Sequence, residues 1–309
     1  MAENSLKFTM LTASKNEEHD VRMAIESMVN QTYPNKEIIF IDDSTDKTPQ
    51  IIEEYKDRNV KLINGPRKGC CEARNIGMRA ATGDVIVFVN ADAKLPSDFL
   101  YKIKKYYDEG ADWVLVKSKA FNLENVYARF VQAQAELEEG SSYSPLTSEG
   151  YSVKRKAALD VGLITGDYPV KFCRDYTLGT KLTEAGYKKV FDRDIIAPHK
   201  APDNFWEYWD VRKTRGLFAA FQPYFMYGKS LSSLFVKFII KDAVFLLRFL
   251  IIVPAFYKVL RISLESESPI KDFIPFYWAY FIQEYSRAYG EWEGWLRIFR
   301  FYRKRQGVN

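Results

Sequence analysis

Between residues 6 and about 120, short apolar runs alternate with helix-patterned stretches, and no other feature constrains the fold as strongly. Leu6–Leu11, Glu37–Ile41, Val60–Ile63, Asp84–Val89 and Trp113–Val116 read as strands. The run Ile38-Ile39-Phe40-Ile41 carries apolar side chains at consecutive positions, as a strand covered on both faces does. Glu17–Asn30, residues 44–59, Gly69–Ala81 and Asp98–Glu109 read as helices. In the first of these Val21, Ala24, Ile25, Met28 and Val29 fall on one face. Alternation at this spacing predicts an α/β fold, a mostly parallel sheet flanked by helices. Such sheets bind ligands beyond the carboxyl ends of their strands. Those ends carry Asp42-Asp43 and Asn90-Ala91-Asp92. Further on, residues 140–152 read as a loop, Lys154–Leu159 and Lys181–Gly186 as helices, and Lys189-Val190-Phe191 as a strand.

The 309 residues suffice for one large α/β domain and an appendage. With 47% hydrophobic and 28% charged residues, bulk disorder is excluded. A net charge of +5 is too weak by itself to point to nucleic acid. The three cysteines, two of them the neighbours Cys70 and Cys71, cannot build a disulfide framework and fit a reducing compartment. With no base partner in view, Cys70, Cys71 and Cys173 read as buried or incidental thiols rather than nucleophiles. Two histidines and no Cys-x-x-Cys argue against a structural zinc site. The polar opening Met1–Ser5 resembles no secretory signal, which gives the expectation of a cytosolic chain. The longest apolar stretch, Ala243–Tyr257, is interrupted by Arg248 and Pro254 and falls short of the ~18 residues of a spanning helix.

Asp92, beyond the apolar strand, is a hard oxygen donor of the kind that holds Mg²⁺ or Mn²⁺ against a diphosphate; Asn90-Ala91-Asp92 can equally be an Asx turn. Asp42-Asp43 can accept from a base N–H or ribose hydroxyls, or cap the helix that follows. His199 reads either as a loop histidine or as a ligand.

These stretches form part of an ordered series: Ala13-Ser14-Lys15-Asn16-Glu17-Glu18, Ser27–Asn35, Ile41–Asp46, Lys68-Gly69, Ala73-Arg74-Asn75-Ile76-Gly77, Ala81–Asp84 and Phe88–Asp92. Over about its first two thirds the chain resembles the family 2 glycosyltransferases, which have the GT-A fold and invert at the anomeric carbon. The resemblance implies that Ala13, Ser14 and Glu17 open the nucleotide pocket. It implies that Asp42, with its neighbour Asp43, contacts the base, and that Arg74 lies near the nucleotide. Asn90 and Asp92 occupy the family's Asp-x-Asp positions, for ribose and metal. Asp175 matches the catalytic base, His199 a histidine by the metal or diphosphate, and Arg212, Lys213 and Arg215 a basic segment that clamps the diphosphate. The cofactor so implied is Mg²⁺ or Mn²⁺, and the donor a nucleoside diphosphate sugar. Asn90 and Arg174 replace acids of the family pattern, and Ala13 and Lys15 its usual proline and tyrosine. Asn90 removes a negative charge from the metal site. Arg174 can neutralise donor phosphate or hold Asp175 ionised.

Beyond residue 204 aromatics become dense and the pattern turns helical. Residues 231–262 are strongly apolar, punctuated by Lys237, Lys241, Arg248, Lys258 and Arg261, and suit a helix lying in a membrane interface. The tail 296–305 mixes aromatics with Arg297, Arg300, Arg303, Lys304 and Arg305, which fits an anionic leaflet. A helical subdomain packed on the core or on a second copy is the alternative. The apolar content is too high for nucleic acid. The expected organisation is a catalytic domain at 1–205 and a helical, membrane-associating region at 206–309. The expected activity is transfer of a sugar to an acceptor hydroxyl. A lipid-linked acceptor at the cytoplasmic face of the membrane is favoured, with the protein peripheral or monotopic. The alternatives are a nucleotide-sugar-binding pseudoenzyme and a soluble, oligomeric transferase acting on polysaccharide or protein.

Overall fold

The computed structural model describes residues 5–139, 149–165, 175–250 and 253–305. In chain order the strands are β1 (Phe8–Ser14), β2 (Lys36–Asp42), β3 (Val60–Asn64), β4 (Val85–Phe88), β5 (Trp113–Ala120), β6 (Ser152–Lys154) and β7 (Lys189–His199). The helices are α1 (Val21–Val29), α2 (Thr48–Glu53), α3 (Cys70–Ala80), α4 (Phe99–Asp108), α5 (Val126–Glu139), α6 (Arg155–Asp160), α7 (Asp175–Glu184), α8 (Phe205–Tyr227), α9 (Leu231–Leu250), α10 (Val253–Leu264) and α11 (Pro269–Arg305).

The chain divides into two compact units: Met1–Lys119 with Pro145–His199, and Ala120–Ser144 with Lys200–Asn309. This differs from the expected division at residue 205. The segment carrying α5 goes with the C-terminal helices, because Phe130 and Ala133 bury their side chains among α8, α10 and α11.

The first unit is built on one sheet of order β3-β2-β1-β4-β6-β5-β7. β1 pairs in parallel with both β2 and β4, and β2 with β3. β6 runs antiparallel to β4 and to β5. The sheet is therefore mostly parallel, as its apolar strands require. Successive residues of each strand serve opposite faces. Phe8 and Met10 of β1, Ile38 and Phe40 of β2, and Val85 and Val87 of β4 pack with Ile25 of α1 and Ile103 of α4. Leu11, Ile39, Ile41, Ile86 and Phe88 face the other way, with Met78 of α3, Ala157 of α6 and Leu182 of α7.

Several elements differ from the sequence reading. α1 starts at Val21 rather than Glu17, because the backbone N–H groups of Glu17 and Glu18 donate to Thr48 Oγ1 and Asp46 Oδ2. β6 has only three residues, too few to show a period. β7 extends well past Phe191, through a polar stretch that the sheet carries to His199.

In the second unit α8 lies along α11. A Cβ on Gly216 would overlap the carbonyl oxygen of Arg287, and a Cβ on Gly290 that of Lys213. The two backbones therefore touch directly, as at small-residue helix crossings. Lys241 of α9 is ion-paired to buried Glu291, and Trp292 Nε1 donates to Asp242 Oδ2 at 2.6 Å. Arg129 and Asp272 pair at 2.9 Å between α5 and α11. Of the stretch 231–264, Leu231–Leu250 (α9) and Val253–Leu264 (α10) are helical, as expected. Replacing Gly216 or Gly290 by leucine should destabilise this unit by on the order of 3 kcal/mol, because no side-chain rearrangement relieves a backbone clash. Thermal unfolding of each variant beside the parent protein checks this; an unchanged midpoint would refute the contact.

Candidate active site

The sheet order puts the ends of β2 and β4 on either side of the end of β1. The loops after β1 and β2 are stitched together. Ser14 Oγ donates to Asp42 Oδ1 at 2.6 Å, and the Asn16 N–H donates to Ser44 Oγ at 2.7 Å. Asn16 Oδ1 accepts from the Thr45 N–H at 2.9 Å. Asn16 takes a left-handed backbone (φ 59°), which asparagine tolerates better than most residues.

Beside these loops lies a cleft of about 490 Å³, lined by Ala13, Ser14, Lys15, Asp43, Thr45, Arg67, Gly69, Cys70 and Ala73. Its size suits a small-molecule ligand. Lys15, Arg67 and the N-terminal end of α3 bring positive charge and backbone donors to it, which favours an anion.

The adjacent acids part company here. Asp42 is buried, and its oxygens accept from Ser14 Oγ, from Ser44 Oγ at 2.7 Å and from the Ser44 N–H at 3.1 Å. Asp43 lines the cleft and accepts from the Arg67 N–H at 2.7 Å. A Cβ on Gly65 would overlap the Asp43 carboxylate as it stands, so a larger residue there would push the carboxylate aside. Asp43 thus faces the cleft, and Asp42 holds its wall.

Arg74, one residue past the cleft-lining Ala73, reaches the tip of β4. Its Nη2 donates to Asn90 Oδ1 at 2.9 Å, and its guanidinium lies 5.7 Å from the centroid of the Phe88 ring. Asn90 Nδ2 in turn donates to Glu149 Oε1 at 2.8 Å. Two residues on, Asp92 Oδ1 is buried with no hydrogen-bond partner. Burial pushes the Asp92 carboxyl up to about 7; Glu149 and Glu17 add to the rise, and His199 opposes it. His199 is brought alongside by an antiparallel bridge to Ala93, and the Lys94 N–H donates to the Pro198 carbonyl at 2.9 Å. Ser118 Oγ lies 2.9 Å from His199 Nδ1, which leaves Nε2 as the nitrogen for a ligand.

Among the described residues no group of three or more His, Cys, Asp or Glu forms a ready metal cage. The donors at hand, an orphaned carboxylate oxygen and an imidazole, are of the kind that fits a divalent cation. Asp92 and His199 are the residues that would hold it.

The other expected site residues fall elsewhere. Arg174 lies outside the described residues. Asp175 is the first residue of α7, and only its backbone is described. Arg212, Lys213 and Arg215 sit on α8 in the second unit. Arg212 is buried 5.0 Å from the Tyr208 ring centroid, and its Nε has no partner. Lys213 pairs with Asp210 at 3.5 Å and Glu293 at 4.0 Å. Glu149, Ser118 and Arg67 belong to the site's surroundings without having been expected there. No periodicity or motif marks them.

Residues 9–160 match the family described as Glycosyl transferase family 2. The chain belongs to glycosyltransferase family 2. The β-1,3-glucosyltransferase WfgD of Escherichia coli, described as acting from UDP-Glc on α-D-GlcNAc-diphosphoundecaprenol, is 36% identical over 86 residues, which cover 27% of this chain and 34% of that protein. The chain spans about a third or less of the length of the curated relatives it matches. Two solved structures share the GT-A fold. The mannosyltransferase PcManGT of Pyrobaculum calidifontis, in complex with GDP-Man and Mn²⁺, is 22% identical with a TM-score of 0.56, covering 70% of this chain and 62% of that one. Staphylococcus aureus TarS 1–349, in complex with UDP-GlcNAc, is 16% identical with a TM-score of 0.53, covering 98% and 92%. The family 2 match covers Ala13 through Asp92 and ends before Asp175 and His199.

Three hydrogen bonds on one carboxylate make Asp42 a stabilising residue of the first unit. Asp42→Ala should cost about 2–3 kcal/mol of stability. Urea unfolding of the ligand-free protein measures it, and a loss under about 0.5 kcal/mol, typical of a neutral surface site, would contradict the assignment.

Proposed function

We propose that this glycosyltransferase moves a sugar, with inversion, from a nucleoside diphosphate sugar to the hydroxyl of a lipid-linked acceptor at the cytoplasmic face of a membrane. The observation that carries the donor reading is the orphaned Asp92 oxygen, at the same strand-end edge of the sheet as a cleft with cationic lining. In this reading the nucleoside lies against Ala13, Ser14 and Asp43, with Lys15 and Arg67 facing the phosphates. Asp92 and His199 hold Mg²⁺ or Mn²⁺, which when bound neutralises charge on the departing diphosphate. Arg74, by fixing Asn90, orients the amide that meets the ribose. Asp175 accepts the proton of the attacking hydroxyl, and general-base help of this kind is worth ~10²–10⁴-fold in rate. The Mn²⁺ and GDP-Man in PcManGT, and the UDP-GlcNAc in TarS, support a metal-assisted nucleotide-sugar donor. The described acceptor of WfgD supports a lipid diphosphate-linked acceptor.

The second unit supports the membrane side of the reading. α9 exposes Phe235, Val236, Ile239, Ile240, Leu246 and Leu247 on the side away from its buried Leu234 and Phe238. α10 adds Phe256, Tyr257, Leu260 and Leu264, and Trp278 of α11 is 62% exposed. So much exposed apolar surface on neighbouring helices exceeds what scattered surface residues account for. Among the described residues no helix is long and apolar enough to cross a membrane, so the contact proposed is interfacial.

Three measurements test this. Donor turnover is followed by nucleoside diphosphate release with Mn²⁺, and nucleotide affinity by calorimetry. Asp92→Ala should abolish the Mn²⁺-dependent part of the affinity. Asp175→Asn should keep nucleotide affinity while transfer falls by ~10²-fold or more. Full turnover in Asp175→Asn would remove it as the base, and an unchanged Mn²⁺ response in Asp92→Ala would remove the metal assignment. In flotation with vesicles containing anionic lipid, the protein should rise with the lipid and release partly in high salt. Protein that stays at the bottom at low salt would end the membrane reading.

A further inference from the structure

Asn90 stands where the family resemblance places an acid, and its two amide ends face opposite charges. Its oxygen accepts from Arg74 Nη2, and its nitrogen donates to Glu149 Oε1. An aspartate at this position would keep the first bond and lose the second, and it would set two carboxylates at hydrogen-bond distance in a half-buried site. Glu149 is pinned there by backbone. The Gly150 N–H donates to the Phe88 carbonyl at 3.0 Å, and the Phe88 N–H donates to the Tyr151 carbonyl at 2.8 Å, which clasps residues 149–151 against the end of β4. Gly150 has a left-handed backbone (φ 68°), and the space for a Cβ is filled by Val116, Phe99 and Ala197, so the chain turns here in one way only.

We propose that Glu149 supplies the carboxylate that position 90 gives up, so that the negative charge facing the divalent cation comes from Asp92 and Glu149, with Asn90 as the linker between Glu149 and Arg74. This rests on the donor reading above. Glu149 is a positioning and charge-setting residue here: it holds the Asn90 amide in one orientation and offsets the cation without being a member of the Asp-x-Asp positions. Asn90 is then a consequence of Glu149, and the substitution need not weaken the site.

The arrangement predicts that the amide and the carboxylate can trade places. Asn90→Asp, Glu149→Gln and the double variant are compared with the parent protein in two measurements. One is calorimetric affinity for UDP and for GDP with and without Mn²⁺; the other is the unfolding midpoint without ligand. Glu149→Gln should weaken Mn²⁺-dependent nucleotide affinity about tenfold or more, the size expected when a group that orients a metal site is lost. Asn90→Asp should lower the ligand-free midpoint through like-charge repulsion. The double variant keeps one amide and one carboxylate in contact, with the direction of the hydrogen bond between the two positions reversed. It should recover the midpoint and return affinity to within about threefold of the parent, a non-additive outcome. Additive losses in the double variant would overturn the proposal. So would Glu149→Gln binding Mn²⁺ and nucleotide as the parent does, whether or not its midpoint falls. A parent protein that binds neither nucleotide with Mn²⁺ would instead bring down the donor reading, and this proposal with it.

Discussion

Parallel pairing of β1 with both β2 and β4 is the constraint on which the first unit depends. Three strands that run the same way release their chains at the same edge. The residues after Ser14, Asp42 and Phe88 are therefore neighbours despite dozens of intervening positions. Each of these strands is largely buried on both faces, and the acidic and amide residues of the site sit where the strand stops. Side chains at that edge are fixed by a covered sheet below and open to a ligand above. The short range of the stitching bonds, from Ser14 to Asp42 and from Asn16 to Thr45, then makes one wall out of two loops.

Much of this was legible because it depends on periodicity. A strand covered on both faces tends to be apolar at consecutive positions, as Ile38–Ile41 of β2 and Val85–Phe88 of β4 are. The ordered motifs from Ala13 to Asp92 also place the site at the strand ends. Other parts leave no such trace. Ser152-Val153-Lys154 becomes β6 only because β4 and β5 offer backbone partners on either side. β7 runs through Asp192, Arg193 and Asp194, whose charges hide an extended chain. The helix over Val126–Glu139 has no counterpart in the sequence reading, although Tyr127, Phe130, Ala133 and Leu137 recur at helical spacing. Asp42 and Asp43 look interchangeable as letters, yet strand alternation sends one into the wall and the other to the cleft. Glu149 is a lone acid before a glycine, and only the clasp on Phe88 gives it a partner.

The two units solve different packing problems. In the sheet unit, charge sits at the rim and the interior is apolar. In the helical unit, charge goes inside: Lys241, Arg287 and Glu291 meet between α9 and α11, and Arg129 meets Asp272. Burial lowers the affinity of Lys241 for its proton and raises that of Glu291, each opposed by the other's charge. Pairs of this kind add little net stability but penalise any arrangement that separates them. They select one packing of α9 on α11, while the apolar residues of α9 and α10 that point outward are left for another partner.

The bare crossing of α8 and α11 has a mechanical consequence. Where side chains interdigitate, helices can slide by exchanging rotamers. Where Gly216 and Gly290 bring main chain against main chain, a shift of one residue in either direction would drive a Cβ into a carbonyl. α8 is therefore locked in phase with α11, and a force on either helix is passed to the other without slack, as between meshed gears.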